Sequence, residues 1–321
     1  MRLARPLLCG LAIALPAAPA LGEEQPPRTS LAPSLGSAPA RQSLDDAWWT
    51  GPMLANSAAT LPRGHALVET YVFDRISGGV QSYGSLTYLL YGVTDTLTLG
   101  ARPMFGFNPR GGAKGVGMGD LTLQAQYRLS SFRADPWKPA ITISLQQSLP
   151  TGKYDRLGAR PGDGLGGGVR ATTIALYAQN YTWLGNGRLL RTRLNLSTSL
   201  PGKARVEDVS VYGTGEGFRG EARPGASFDV GGSVEYSVTR RWVLALDLVY
   251  DHTAPTRVTG VDVGNFPVAH RYGASDSFAI APGIEYSWKP NLGVLLGARF
   301  IPRSYNTAPS ITPAVAINFV Y

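Results

Sequence analysis

The chain has 321 residues, of which 16% are charged, 44% apolar and 10% aromatic, with 39 Gly, 24 Pro and a formal net charge of +8. Globular domains usually carry about a quarter charged residues, and no apolar run here reaches the roughly 18 residues of a spanning helix. Low charge, Gly and aromatic richness and a mean hydropathy near zero argue against a helical bundle and for an all-β chain whose surface meets lipid.

At the start of the chain, Arg2 and Arg5 precede an apolar run from Leu7 to Leu15. Ala18-Pro19-Ala20 then offers a small-residue cleavage site, with Ala20-Leu21-Gly22 as a rival. This predicts a signal peptide over 1–22, cleaved after Ala20 or Gly22. Cys9, the single cysteine, lies inside the apolar run rather than after it, which argues against acylation. The exported chain then holds no disulfide and no thiolate metal site. Loss of two arginines lowers the net charge to +6, which in an exported protein points to lipopolysaccharide phosphates or anionic solutes, not nucleic acid. Residues 23–62 are rich in Pro, Ala and Ser and are expected to form a disordered or loosely draped periplasmic segment. It ends in Asp45-Asp46-Ala47-Trp48-Trp49-Thr50-Gly51-Pro52, dense enough to pack at one place.

From Ala66 onward, period-two alternation takes over. Leu121, Leu123, Ala125, Tyr127 and Leu129 share one face, and Asp120, Thr122, Gln124, Gln126 and Arg128 the other. Ala226 to Thr239 repeats the design, as do Leu189 to Leu200, Phe278 to Trp288 and Ile311 to Tyr321. Twelve such segments begin near residues 66, 81, 96, 118, 138, 168, 188, 225, 242, 275, 292 and 310. Gln81 to Tyr91 and Val169 to Tyr181 have mixed faces, so the alternation leaves their register open. Connections after even-numbered segments are mostly tight, whereas those near 106–117, 150–167, 201–224 and 253–274 are long and Gly-rich.

This asymmetry predicts a transmembrane antiparallel up-and-down β-barrel over 63–321, in the outer membrane of a Gram-negative cell, with both ends periplasmic. Phe228–Tyr236, Trp242–Tyr250 and Phe278–Tyr286 are each eight residues apart on the apolar face. Eight tilted residues climb roughly 21 Å, close to the apolar band between aromatic girdles. Tyr127, Tyr181, Trp288 and Tyr321 extend the predicted periplasmic rim. A secreted β-sandwich has no reason to repeat that spacing. Ile317, Phe319 and Tyr321 close the final apolar face and are read as an insertion signal for the barrel-assembly machinery.

Four segments carry a family resemblance. Tyr91-Gly-Val-Thr-Asp-Thr-Leu-Thr-Leu-Gly100, Gly117-Met-Gly-Asp-Leu-Thr-Leu-Gln124 and Leu149-Pro-Thr-Gly-Lys-Tyr154 occur in that order, preceded by Trp49 to Gly64. Over residues 48–321 the chain resembles the outer-membrane transporter family named for the meta-pathway of phenol degradation. The resemblance implies a β-barrel that moves small organic molecules, aromatic compounds among them, across the outer membrane.

Few residues suit enzyme chemistry. Asp251-His252 invites comparison with barrel proteases, but neighbours on a strand point to opposite faces; Asp262 and His270 are the remaining partners that could converge there. Gly162 to Gly168 and Gly115 to Gly119 lead into strands, not into the helix that a phosphate-binding loop needs. No catalytic residue, metal ligand or cofactor is therefore assigned. What remains is the inward polar set: Arg102, Gln124, Gln126, Arg128, Arg191, Arg193, Asn195, Asp229, Glu235, Asp247, Glu285 and Arg299. Arg191, Arg193 and Glu235 sit low on adjoining strands, where a cross-strand ion pair is expected. The excess of arginine near the periplasmic mouth predicts a weak anion preference. The sequence reading is thus a passive channel for small organic solutes, its lumen narrow or obstructed by loops or by the N-terminal segment. A closed surface-interaction barrel and a lipid-modifying enzyme or protease are the alternatives.

Overall fold

Alternation becomes architecture in the computed structural model, which describes residues 40–321; the expected signal peptide lies outside the described residues. The strands are β1 (Ala66–Ser77), β2 (Val80–Thr94), β3 (Leu97–Arg102), β4 (Met104–Phe107), β5 (Gly117–Met118) and β6 (Leu121–Ser130). They continue as β7 (Ala140–Leu149), β8 (Ala171–Trp183), β9 (Leu189–Pro201), β10 (Ala204–Glu207), β11 (Arg219–Arg223) and β12 (Ser227–Ser237). The last six are β13 (Trp242–Thr253), β14 (Thr256–Val261), β15 (Pro267–Tyr272), β16 (Ser275–Lys289), β17 (Leu292–Ile301) and β18 (Ser310–Val320).

Pro103 divides β3 from β4, and Gly119-Asp120 divides β5 from β6, so each pair forms one stave. Twelve antiparallel staves result, and β1 pairs with both β2 and β18 to close the barrel. Closure joins the first stave to the last, as a hydrocarbon environment demands. At the seam, the backbone N–H of Tyr321 donates to Ala66 O at 2.8 Å and that of Ala66 donates to Tyr321 O at 2.9 Å. Ile311, Val315, Ile317, Phe319 and Tyr321 are exposed on the outer face.

The stave starts agree with the alternation to within three residues. Two expectations need correction. The stretches 201–224 and 253–274 are not simply loops: they carry β10, β11, β14 and β15, a four-stranded sheet extending the wall outward. Its inner face packs Val206, Ala222 and Val258 with Phe218 and Val169. The first outer link is the two-residue turn Gly78-Gly79, with φ of 57° and 76°, the left-handed pair that a tight hairpin uses.

Tyr181 does not join the lipid-facing rim. Its ring lies 6.4 Å from Trp49 inside the barrel, and its hydroxyl accepts from Gln179 Nε2 at 2.8 Å. The other rim aromatics pair across strands, Trp242 opposite Tyr286 and Tyr250 opposite Phe278. In β2, Tyr83, Leu89 and Tyr91 face out, while Tyr88 and Leu90 line the interior. In β8, Ile174 and Leu176 face out, while Tyr177 and Gln179 face in. Both faces of these strands carry apolar or neutral side chains, which is why alternation alone left their register open.

Candidate functional site: a strap through the lumen

A barrel interior with this many polar side chains needs partners for them, and the chain's own backbone supplies many. Residues 49–61 form a strap that enters from the short-turn side, crosses the bore and returns to the same side. At its start, Arg240 O accepts from Trp48 N at 3.0 Å, and the Arg240 side chain pairs with Asp46 at 2.5 Å. The first half of the strap presents its N–H groups to acids. Glu285 accepts from Thr50 N at 2.8 Å, from Thr50 Oγ1 at 2.9 Å and from Gly51 N at 3.1 Å. Asp247 accepts from Leu54 N at 3.2 Å and from Ala55 N at 3.0 Å. At the apex, Asn195 Oδ1 accepts from Asn56 N at 2.6 Å, while Arg193 donates to Ala55 O at 2.8 Å.

The second half reverses the polarity and presents carbonyls to neutral donors. Gln126 Nε2 donates to Ser57 O and Ala59 O at 2.9 and 3.1 Å, and Thr142 Oγ1 donates to Ala58 O at 2.5 Å. The strap leaves at the turn after β2, where Thr60 Oγ1 donates to Asp95 O at 2.6 Å and Leu61 N donates to Thr98 Oγ1 at 2.9 Å. Inward glycines make room for it. A Cβ on Gly293 would lie 2.0 Å from Thr50 Cγ2, and one on Gly92 would lie 2.1 Å from Pro62 O.

Below the acid contacts, Arg191 clasps both oxygens of Glu235, its Nε donating to Oε2 at 2.7 Å, and Arg193 Nε approaches Oε2 to 3.2 Å. Arg191 and Arg193 are 5% and 8% exposed and Glu235 is 0% exposed, so the expected ion pair exists as a buried triad. The Arg191 guanidinium stacks 4.4 Å above the Trp49 ring, which gives the dense patch around Trp48-Trp49 its packing place. Both arginines share Glu235, and Arg193 also holds the strap, so much of their charge is offset within the triad, which weakens the basis for an anion preference set by them.

The strap separates two cavities. The outer one, of about 320 Å³, meets Arg102, Asn195, Asp229 and Arg299 together with Gln146 and Tyr177. The inner one, of about 260 Å³, meets Gln124, Gln126, Arg191 and Arg193 together with Glu69, Tyr71 and Tyr88. Glu235, Asp247 and Glu285 are buried between wall and strap, and Arg128 shares their inward parity nearer the turn. Eleven of these twelve residues thus line a cavity or lie buried between wall and strap, and Arg128 is placed inward by parity alone. Sequence reasoning missed Glu69, Tyr71, Tyr88, Gln146, Tyr177 and Gln179. Their strands lack a charge-rich face; only the parity of Glu69 in β1 could have signalled one.

The candidate dyads do not form. His252 Nδ1 lies 2.8 Å from Asp276 Oδ1 directly across from it, whereas Asp251 accepts from Ser277 Oγ at 2.8 Å on the opposite face. Asp262 accepts backbone N–H groups of Gly264 and Phe266 in its own turn, and His270 lies exposed on β15. At the outer mouth, Asp120 accepts from Gly152 N at 2.9 Å and from Gly167 N at 2.7 Å, tying the 150–170 loop to the wall. Gly152 and Gly166 meet so closely there that a Cβ on Gly152 would lie 2.8 Å from Gly166 Cα.

A closed twelve-stave barrel with an apolar outer face and cross-strand aromatic pairs at its rims is an outer-membrane β-barrel, here of the Gram-negative type. The chain belongs to the family described as "Putative MetA-pathway of phenol degradation", whose model matches residues 51–310 and so takes in most of the strap. Among solved structures, it is similar to an outer-membrane channel from Pseudomonas putida F1, at 16% identity and a TM-score of 0.59, over 84% of this chain and 100% of that one. It also matches the NanC porin at 10% identity and a TM-score of 0.46, over 78% of this chain and 98% of that one. The Ralstonia pickettii toluene transporter matches at 12% identity and a TM-score of 0.37, over 81% of this chain and 90% of that one. No curated protein matches the sequence.

Proposed function

We propose that the protein is a passive outer-membrane channel for small organic solutes, aromatic compounds among them, whose resting lumen is occluded by the strap. The observation that carries this reading is the strap's placement between two cavities of about 320 and 260 Å³. Each is near the lower limit of ordinary small-molecule sites. Membership of a family described by phenol degradation supports an aromatic cargo. Tyr177 in the outer cavity and Tyr71 and Tyr88 in the inner one offer ring faces to such a solute. Passage requires the strap to leave its acids and amides, so the strap is the gate and the polar set its latch.

The test is flux into proteoliposomes of phenol and of a sugar, with the wild type and with a variant lacking residues 49–61. The reading expects phenol entry above protein-free vesicles in the wild type, and entry of both solutes in the deletion variant. Phenol entry no faster than through bare lipid in both proteins contradicts it. That outcome favours a closed surface barrel, the second reading to which the strap's many hydrogen bonds lend support.

A further inference from the structure

The outward face of the crown sheet, built from β10, β11, β14 and β15, is unlike the rest of the molecule. Its inner residues Ala204, Val206, Ala222 and Val258 are buried against the mouth loops. The alternate residues therefore point away from the barrel axis. In register, Arg223 lies opposite Arg257, and Arg257 lies opposite Arg271. Lys203 flanks this row, preceding Ala204, the partner of Ala222. Three arginines thus stand side by side on three strands, with Lys203 just before the fourth, all exposed. One carboxylate serves the row: Glu221 receives Lys203 Nζ at 2.9 Å and an Arg223 nitrogen at 2.6 Å. Arg257 and Arg271 have no ion-pair partner among the described residues.

Like charges directly opposite one another destabilise a sheet. A row of them is tolerated where an anion lies against it. The row's height suggests which anion. It stands five residues beyond Phe228 on one strand line and seven beyond Tyr250 and Phe278 on two others, and these aromatics mark the outer rim. Five to seven tilted residues climb roughly 13–18 Å. That places the cations just above the acyl region, at the level of the acidic sugars and phosphates of the outer leaflet.

We propose that Lys203, Arg223, Arg257 and Arg271 form a binding face for the phosphorylated, acidic headgroup of lipopolysaccharide. Arginine suits the task, since its planar fork pairs with phosphate in bidentate fashion. The face rests only on the outer-membrane location and is independent of whether the lumen conducts.

The test uses purified full-length protein in detergent and measures binding of lipopolysaccharide, of phosphatidylglycerol and of inorganic phosphate. The variants are Arg257→Gln with Arg271→Gln, and, as a control of equal charge loss, Arg110→Gln with Arg303→Gln. Both sets are exposed, and heat-modifiable migration reports that each barrel is folded. The face predicts about a thirtyfold loss of lipopolysaccharide affinity in the first pair and little change in the control. Arg257→Lys with Arg271→Lys should retain most of the binding. Wild-type affinity for phosphatidylglycerol or phosphate alone should be much weaker than for lipopolysaccharide. Equal losses in the two Gln pairs, no loss in either, or equal affinity for phosphatidylglycerol would each overturn the assignment.

Discussion

The two halves of the lumen wall hold the same strap by opposite means. On the β13–β16 side, Asp247 and Glu285 receive backbone N–H groups, so each bond carries a formal charge on the acceptor. On the β6–β7 side, Gln126 and Thr142 donate to backbone carbonyls, and neither partner is charged. Hydrogen bonds to charged groups contribute about 1.5–3 kcal/mol, against about 0.5–1.5 kcal/mol for neutral ones. Residues 50–55 should therefore be the firm half of the strap and 57–61 the half that lets go first. A gate with one fixed and one loose end can swing without leaving the barrel.

The largest effect that bears on this difference is expected below the acid half. Glu235→Ala leaves Arg191 and Arg193 buried without their carboxylate, which should cost about 3–5 kcal/mol. Denaturant unfolding in detergent or bilayers would measure it. A loss under about 1 kcal/mol would show that the triad is not what stiffens this side. Next comes Asp247→Ala with Glu285→Ala, which removes the acceptors of four strap N–H groups. Protease nicking or hydrogen exchange within 49–56 should rise by at least an order of magnitude. Gln126→Ala with Thr142→Ala should loosen only 57–61, by a few-fold. Equal loosening by the two pairs would erase the distinction between the halves. A smaller probe is Gly92→Ala, whose new methyl would press on Pro62 O where the strap leaves. It should raise exchange near residues 60–62 and leave the acid half unchanged.

The wall was legible residue by residue and the strap only as an obstruction by the N-terminal segment, for the same physical reason. A stave such as Leu121–Ser130 sits between lipid and lumen, so its sequence must alternate at every step, and the alternation can be read locally. The strap meets no such boundary. Its bonds join backbone atoms to side chains such as Asn195, Asp247 and Glu285, which lie 139 to 235 residues away in sequence. Nothing in residues 49–61 announces those partners. Charge or an amide on the polar parity is visible, so Asn195, Asp247 and Glu285 stand out in the sequence, but their bonds to the strap do not. Two tryptophans beside a Gly-Pro did signal packing, though not its place over Arg191.

The segments that carry the family resemblance acquire a meaning from this contrast. Trp49–Gly64 contains the strap itself, and Tyr91–Gly100 contains Gly92, Asp95 and Thr98, which receive its departing end. Gly117–Gln124 and Leu149–Tyr154 contain the Asp120 clamp at the outer mouth and its Gly152 partner. Tyr181 shows the converse. An aromatic near a strand end reads as a membrane rim, yet here it closes over Trp49 inside the lumen, because β8 gives no polar face to decide between them.

Single-channel conductance in planar bilayers tests the central claim most directly, comparing the wild type with Asp247→Ala plus Glu285→Ala. A latched strap predicts small, rare openings in the wild type and markedly larger or longer ones in the double variant, with the barrel still folded. A wild type that already conducts as an open pore, with no change in the double variant, would contradict the account.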